Sequence, residues 1–141
     1  MTFVGSYTHS IDSKKRVFIP SKFREDLGEE FYITRKLDGY LSLYTVEAWE
    51  RLLNTLSELP EADADELQDF LLGAAQRCVP DASGRIILDD KLLKHAKIDK
   101  NLVFVGAGRD QIKIWSEENW NEREQNYDYT NIRAKMKEFR L

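Results

Sequence analysis

The chain repeats itself, and this restricts its possible folds more than any other feature does. Asp12-Ser13-Lys14-Lys15-Arg16-Val17-Phe18-Ile19 aligns with Asp81-Ala82-Ser83-Gly84-Arg85-Ile86-Ile87-Leu88, so Asp, Arg and three following apolar residues coincide at an offset of 69. Further on, Leu41-Ser42-Leu43-Tyr44-Thr45 matches Ile112-Lys113-Ile114-Trp115-Ser116, and Trp49 matches Trp120 at an offset of 71, so one small insertion separates the blocks. Two matched blocks in the same order, closed by a paired Trp, mark an internal duplication. The fold must accommodate two copies of one unit.

Each copy reads alike. A short strand (Phe3 to Thr8, or Ala75 to Val79) leads into the Asp turn, and a second strand follows it (Arg16–Ile19, or Arg85–Leu88). Brief helical turns are expected at Ser21–Leu27 and Asp89–Ala96, with Ser21 and Asp89 as their N-caps. Two more strands come next, Phe31–Arg35 with Leu41–Tyr44 and Leu102–Val105 with Ile112–Trp115. Asp38-Gly39 and Gly106-Ala107-Gly108 are their hairpin signals. A helix then opens at Thr45 or Ser116, each a capping residue followed by glutamate. Between the units, Leu67, Phe70, Leu71 and Ala74 fall at helical spacing and predict an amphipathic helix over Asp63–Ala74. In the tail Ile132, Met136 and Phe139 form one narrow stripe, read first as a helix packing on its own domain, with a subunit contact as the alternative. This division gives a first unit at 1–58, an acidic linker helix at 59–74, a second unit at 75–122 and a helical tail at 123–141. Strands joined by hairpin signals, with short helices at the periphery, read as α+β.

The charge is unevenly spread. The 141 residues carry a formal net charge of −4, yet residues 1–36 hold seven cations against five acids, a net +2. Residues 45–75 hold Arg51 against Glu47, Glu50, Glu58, Glu61, Asp63, Asp65, Glu66 and Asp69, a net −7. A polyanion would have to be met by a local patch, because the field of the whole molecule repels it. The first residues carry neither a basic leader nor a signal-length apolar stretch, and the longest apolar run, Leu102–Val105, is too short to span a bilayer. No membrane partner is expected. Cys78 is alone, which excludes an intrachain disulfide and suits a reducing cytosol. It reads as a small buried apolar residue. His9 and His95 are too few and too scattered for a metal site, and no cofactor is implied.

Asp81-Ala82-Ser83-Gly84 has the signature of a type I turn, in which Asp accepts from backbone N–H groups and Gly suits the fourth position. The following Arg begins the return strand, so the spacing fixes a cation near a rigid hairpin tip. In the first copy Lys15 stands where the second has Gly84, giving three adjacent cations, Lys14-Lys15-Arg16. Asp12 and Asp81 are therefore read as shaping the turn. Arg16 and Arg85 have no evident folding role and are the candidate functional groups.

The tandem Asp-x-x-x-Arg units, with Arg16-Val17-Phe18-Ile19-Pro20-Ser21-Lys22-Phe23-Arg24 after the first and Ile112-Lys113-Ile114-Trp115 closing the second, resemble the bacterial MraZ family from about Phe3 to Trp120. The resemblance implies two tandem swapped-hairpin units, AbrB-like, whose strands interleave into a small pseudo-two-fold β-barrel with peripheral helices. It also implies a transcriptional regulator of the division and cell-wall gene cluster. Such a protein binds short direct repeats in double-stranded DNA, its own promoter included, as a homo-oligomeric ring in the cytoplasm and on the nucleoid. The family's motif falls on Asp12 and Arg16, and on Asp81 and Arg85. Lys14, Lys15, Arg16 and Arg85 become the expected DNA-binding residues, with Lys14 and Lys15 making the first unit the main contact. Two departures stand out. The family has Gly where Lys15 stands, which leaves the geometry of the first turn open, and it commonly has Ile-Pro where this chain has Leu88-Asp89.

Two rival readings follow from the same residues. One is catalysis by Asp12 and Asp81 as a paired-carboxylate dyad, which the triplets Asp-Ser-Lys and Asp-Ala-Ser do not resemble and which the neighbouring Arg residues oppose; no catalytic residue is assigned. The other is an oligomeric protein-interaction or antitoxin-like module on the same fold, served by the acidic segment and the aromatic tail.

Overall fold

A computed structural model describes residues 2–141. The first half runs β1 (Ser6–Ser10), β2 (Arg16–Phe18), α1 (Ser21–Leu27), β3 (Phe31–Arg35), β4 (Leu41–Thr45), α2 (Val46–Ser57) and α3 (Glu61–Leu71). The second runs β5 (Gln76–Cys78), β6 (Arg85–Ile87), α4 (Asp90–His95), β7 (Asn101–Gly106), β8 (Gln111–Ser116), α5 (Glu117–Gln125) and α6 (Tyr129–Glu138). The class is α+β, with antiparallel strand pairing throughout these elements.

The halves share their sheets. Six strands lie in the order β1-β7-β8-β4-β3-β5, and β2 pairs with β6 as a separate two-stranded ribbon. The hairpins β3–β4 and β7–β8 are local, as Asp38-Gly39 and the glycines near 106–108 predict. The other pairings cross the halves: β1 joins β7, β5 joins β3, and β4 meets β8 with Leu41 opposite Ile114 and Leu43 opposite Ile112. If each strand is replaced by its repeat equivalent, the sheet order reads the same from either edge. One apolar core results, in which Phe23, Phe31, Ile33, Leu41, Leu88, Leu92, Phe104 and Ile112 are each no more than 2% exposed. Burial on this scale is the main source of stability, at about 1.5–3 kcal/mol per large side chain.

A second, smaller cluster holds the first half's helix on the sheet. Trp49 of α2 stacks on Tyr32 at 4.7 Å and meets Tyr44 edge-on at 5.6 Å. The Thr45 hydroxyl caps α2 by accepting from the Ala48 N–H at 3.2 Å, and Ser116 caps α5 by accepting from the Asn119 N–H at 3.1 Å. Both caps match the sequence expectation.

Several expectations need correction. The first strand begins at Ser6, because Gly5 turns the chain at φ 88 and Phe3 makes only an isolated bridge to Gly108. Ser21 is the first helical residue and not a cap: Pro20 precedes it in extended geometry, and no side chain caps α1. Asp89 occupies the N-cap of α4, but its carboxylate makes no capping bond. Its N–H instead donates to the Gln76 side chain at 3.0 Å. The linker helix ends at Leu71, so Ala74 lies beyond it, and only Ala64 of α3 is fully buried. Leu67 is 41% exposed. The tail is not packed on its own domain either. α6 buries no residue, and Met136 and Phe139 are 45% and 65% exposed. Among the described residues, no helix is long and apolar enough to cross a membrane.

Candidate nucleic-acid interface

The repeated turn is built twice from the same bonds. In the first copy the Asp12 Oδ1 accepts from the Lys14 and Arg16 N–H groups, both at 2.9 Å, and Oδ2 accepts from Arg16 Nε at 2.8 Å. In the second, Asp81 Oδ1 accepts from the Ser83 and Arg85 N–H groups at 2.9 Å, and Oδ2 from Arg85 Nε at 2.9 Å. The backbone closes alike: Lys15 N–H donates to Asp12 O at 3.0 Å, and Gly84 N–H to Asp81 O at 2.9 Å. Each tip is also tied to the opposite strand, since Leu88 N–H donates to Lys15 O and Ile19 N–H to Gly84 O, both at 3.0 Å.

Lys15 therefore takes the conformation its Gly counterpart takes, at φ 63 against φ 84 for Gly84. The question left open by that substitution is settled at the backbone. A non-glycine residue there costs about 1–2 kcal/mol, and the Lys15–Asp90 ion pair, between half-exposed groups, returns little of it. Lys15→Gly is accordingly expected to raise stability by about 1 kcal/mol, seen as a higher thermal midpoint. At the second tip the φ of 84 favours glycine, and a Cβ there would also displace the end of the Arg24 side chain, whose Cζ lies 2.3 Å from its position.

The cages set the charge state of both carboxyls. The Arg16 N–H, then the Arg16 side chain and the Lys14 N–H, hold Asp12 below the usual carboxylate range. The corresponding groups of Arg85 and Ser83 do the same for Asp81. A carboxyl depressed in the folded state adds stability at pH values above its unfolded pKa of about 3.9. That contribution fades as pH falls from there through the folded value. Acid titration followed by the amide resonances of Arg16 and Arg85 should show both tips loosening together below about pH 4.

Both arginines sit beside the turns where the spacing puts them. Each is drawn back onto its own aspartate, leaving the side chains 31% and 28% exposed. What they share is a face. β2 and β6 pair with Arg16 opposite Ile87 and Phe18 opposite Arg85. Opposite residues in an antiparallel pair point to the same side, so these four side chains lie on one face of the ribbon. Val17 and Ile86 point the other way and are 1% and 4% exposed. Arg16 and Arg85 line a single groove of about 260 Å³, together with Arg77, Val79, Asp81 and Ile87. Lys14 is exposed at the first tip, whereas Lys15 is paired with Asp90 of the second half. Asp12 and Asp81 sit in separate cages, and among the described hydrogen bonds none joins them.

Sequence reasoning missed the apolar half of this face. Phe18 is 45% exposed and Ile87 57%, whereas the sequence marks them only as apolar strand residues. The period-two alternation of a strand carried the signal: residues two beyond Arg16 and Arg85 must share their side. Phe18 is flanked by the guanidinium groups of Arg85 and Arg24, at 5.8 and 5.9 Å from its ring centroid. Cys78, by contrast, is buried, and burial pushes its thiol up to about 12. It is a neutral packing group near pH 7.

Fold and site together define a tandem-repeat α+β protein whose two copies meet in one ribbon that carries both motif arginines. A family model described as "MraZ protein, putative antitoxin-like" matches it twice, over residues 2–70 and 71–140. The chain is 42% identical to "Transcriptional regulator MraZ" of Clostridium tetani (strain Massachusetts / E88), across 96% of this chain and 97% of that protein. Proteins of the same name from Lachnoclostridium phytofermentans and Heliobacterium modesticaldum are 42% and 40% identical, with coverage of 98–99% on both sides. The chain belongs to the MraZ family.

Proposed function

We propose that this protein is a sequence-specific DNA-binding transcriptional regulator and that the β2–β6 ribbon is its reading element. The observation that carries this is the convergence of Arg16 and Arg85, each oriented by an equivalent carboxylate cage, on one groove. A two-stranded β-ribbon fits the major groove of B-DNA, which is about 12 Å wide. There an arginine pre-oriented through Nε offers its terminal nitrogens to guanine O6 and N7. Lys14 holds phosphate, and Lys15 does so on exchanging Asp90 for DNA, each contact steepening the salt dependence by about 0.9 log units. The net charge of −4 keeps a single protomer's affinity low.

The exchange of β1 and β5 between halves supports reading the fold as a swapped-hairpin pair related by a pseudo-two-fold axis. Such a pair puts Arg16 and Arg85 on one face of the ribbon, so both halves contribute, with Lys14 and Lys15 weighting the first unit as the main contact. The targets are short direct repeats upstream of the protein's own gene in the division and cell-wall cluster. A ring of subunits engages them, with effective concentration raising affinity by about 10²–10⁴ over a single contact. Footprinting of that upstream DNA tests the reading: evenly spaced protected repeats are expected, and unprotected DNA at saturating protein would reject it.

One observation favours a second reading, an antitoxin-like protein-interaction module. Phe18, Val79 and Ile87 are exposed beside the arginines, and an apolar patch rimmed by charge is also what protein partners use. A mass measurement with and without the upstream DNA separates the two, since only the DNA reading predicts a complex of protein and DNA.

A further inference from the structure

The two repeats each carry a helix at the same place, and only one of them has a seat. Shifting α3 by the 69-residue repeat offset overlays it on α6. α3 is held to the sheet: Arg35 Nε donates to the Phe70 carbonyl at 2.9 Å, its guanidinium lies 4.2 Å from the Phe70 ring centroid, and the Thr34 hydroxyl donates to the Leu71 carbonyl. α6 has nothing equivalent. Among the described residues no side-chain hydrogen bond ties it to a strand, Ile132 is its only half-covered residue, and Met136, Phe139 and Leu141 stand in solvent.

The charges on these two helices are complementary. Residues 129–141 carry Arg133, Lys135, Lys137 and Arg140 against Glu138, a net +3. The α2–α3 segment carries its net −7 on side chains that are all exposed, with Leu67 exposed among them. Among the described residues none of the four tail cations and none of the eight acids in residues 45–75 is in an ion pair. One molecule thus presents a basic helix with an apolar stripe and, elsewhere, an acidic helical surface with an apolar residue at its centre.

We propose that α6 of one copy docks on the α2–α3 surface of a second copy, with Met136 and Phe139 on Leu67 and the tail cations facing Asp63, Asp65, Glu66 and Asp69. The contact is head-to-tail. Each copy keeps one free surface of each kind, so contacts propagate until rotation closes them into a ring. The proposal rests on the assembly part of the function proposed above and gives it a surface. It is independent of DNA, and none of its residues lines the groove that Arg16 and Arg85 share.

Light scattering of the full chain without DNA tests it. Wild type is expected as a multi-subunit species. Met136→Asp/Phe139→Asp and Lys135→Glu/Lys137→Glu are each expected to run at the single-chain mass of 16.5 kDa. Neither should unfold the protomer, since α6 buries nothing in it, and circular dichroism checks this. Adding Asp65→Lys/Glu66→Lys to the Lys135→Glu/Lys137→Glu chain restores the pairing with signs exchanged, and assembly should return. Variants that assemble like wild type would overturn this surface while leaving a ring intact. Failure of the exchanged chain to reassemble would overturn α2–α3 as the acceptor. A wild type that is monomeric at all concentrations would overturn both this proposal and the ring.

Discussion

Replacing Arg16 or Arg85 with Ala should weaken binding to the upstream repeats by about 5- to 150-fold each, the range that follows from about 1–3 kcal/mol for one arginine reading one guanine. The two losses should be similar, because the two cages match bond for bond. The double variant should lose close to their product on an isolated repeat, and more on an array where avidity multiplies each contact. Each substitution also leaves an aspartate without its counter-charge beside the phosphates, which adds repulsion. Arg16→Lys separates the contributions: it keeps the cation but not the planar fork, so affinity for unrelated DNA should persist while preference for the repeat falls. Equilibrium titrations at one fixed salt concentration read all four variants. Unchanged affinity for Arg16→Ala and Arg85→Ala would remove the roles assigned to them.

The second large effect is on stability. Gly106→Ala should destabilise the fold by about 3–4 kcal/mol, at the lower end of what deleting a buried Phe costs, and lower the thermal midpoint by on the order of 10 °C. A Cβ at Gly106 would stand 2.4 Å from the backbone of Phe3 and Val4. That segment is pinned by Gly106 N–H donating to Gly5 O at 2.8 Å and by the Phe3–Gly108 bridge, so it can yield only by lifting away. Phe3, 1% exposed and edge-on to Phe23 at 5.4 Å, would leave the core with it. Phe3→Ala removes the same contact from the other side. The two variants together should therefore cost much less than their sum, as residues sharing one contact do. Thermal melts of the two single variants and the double variant measure this.

Much of this molecule is legible in the sequence because its signals are local. Asp38-Gly39 marks the β3–β4 hairpin, and Thr45 and Ser116 mark helix starts whose hydroxyls do cap. The aspartate's turn-shaping role follows from the chemistry of a carboxylate two and four residues before N–H groups. Exchange of β1 and β5 between halves leaves no local signal, since nothing near Ser6–Ser10 specifies a partner at 101–105. The same blindness affects Arg16 and Arg85. Spacing places them at tips, but only the β2–β6 pairing brings their side chains onto one face. Ser21 fails as a cap because Pro20 already sets the helix entry. The tail stripe does form a helix, but periodicity says only that a face is apolar and not whether its own domain or another subunit covers it.

That the ribbon face touches DNA is the claim on which the proposed function depends. A photoreactive phenylalanine analogue at Phe18, with the same probe at Leu67 as a control on the acidic surface, tests it most directly. Irradiation with the upstream repeats should crosslink the Phe18 probe to DNA within the protected repeats and the Leu67 probe to none. Crosslinks from Phe18 to protein alone, or none to DNA at saturating protein, would contradict it.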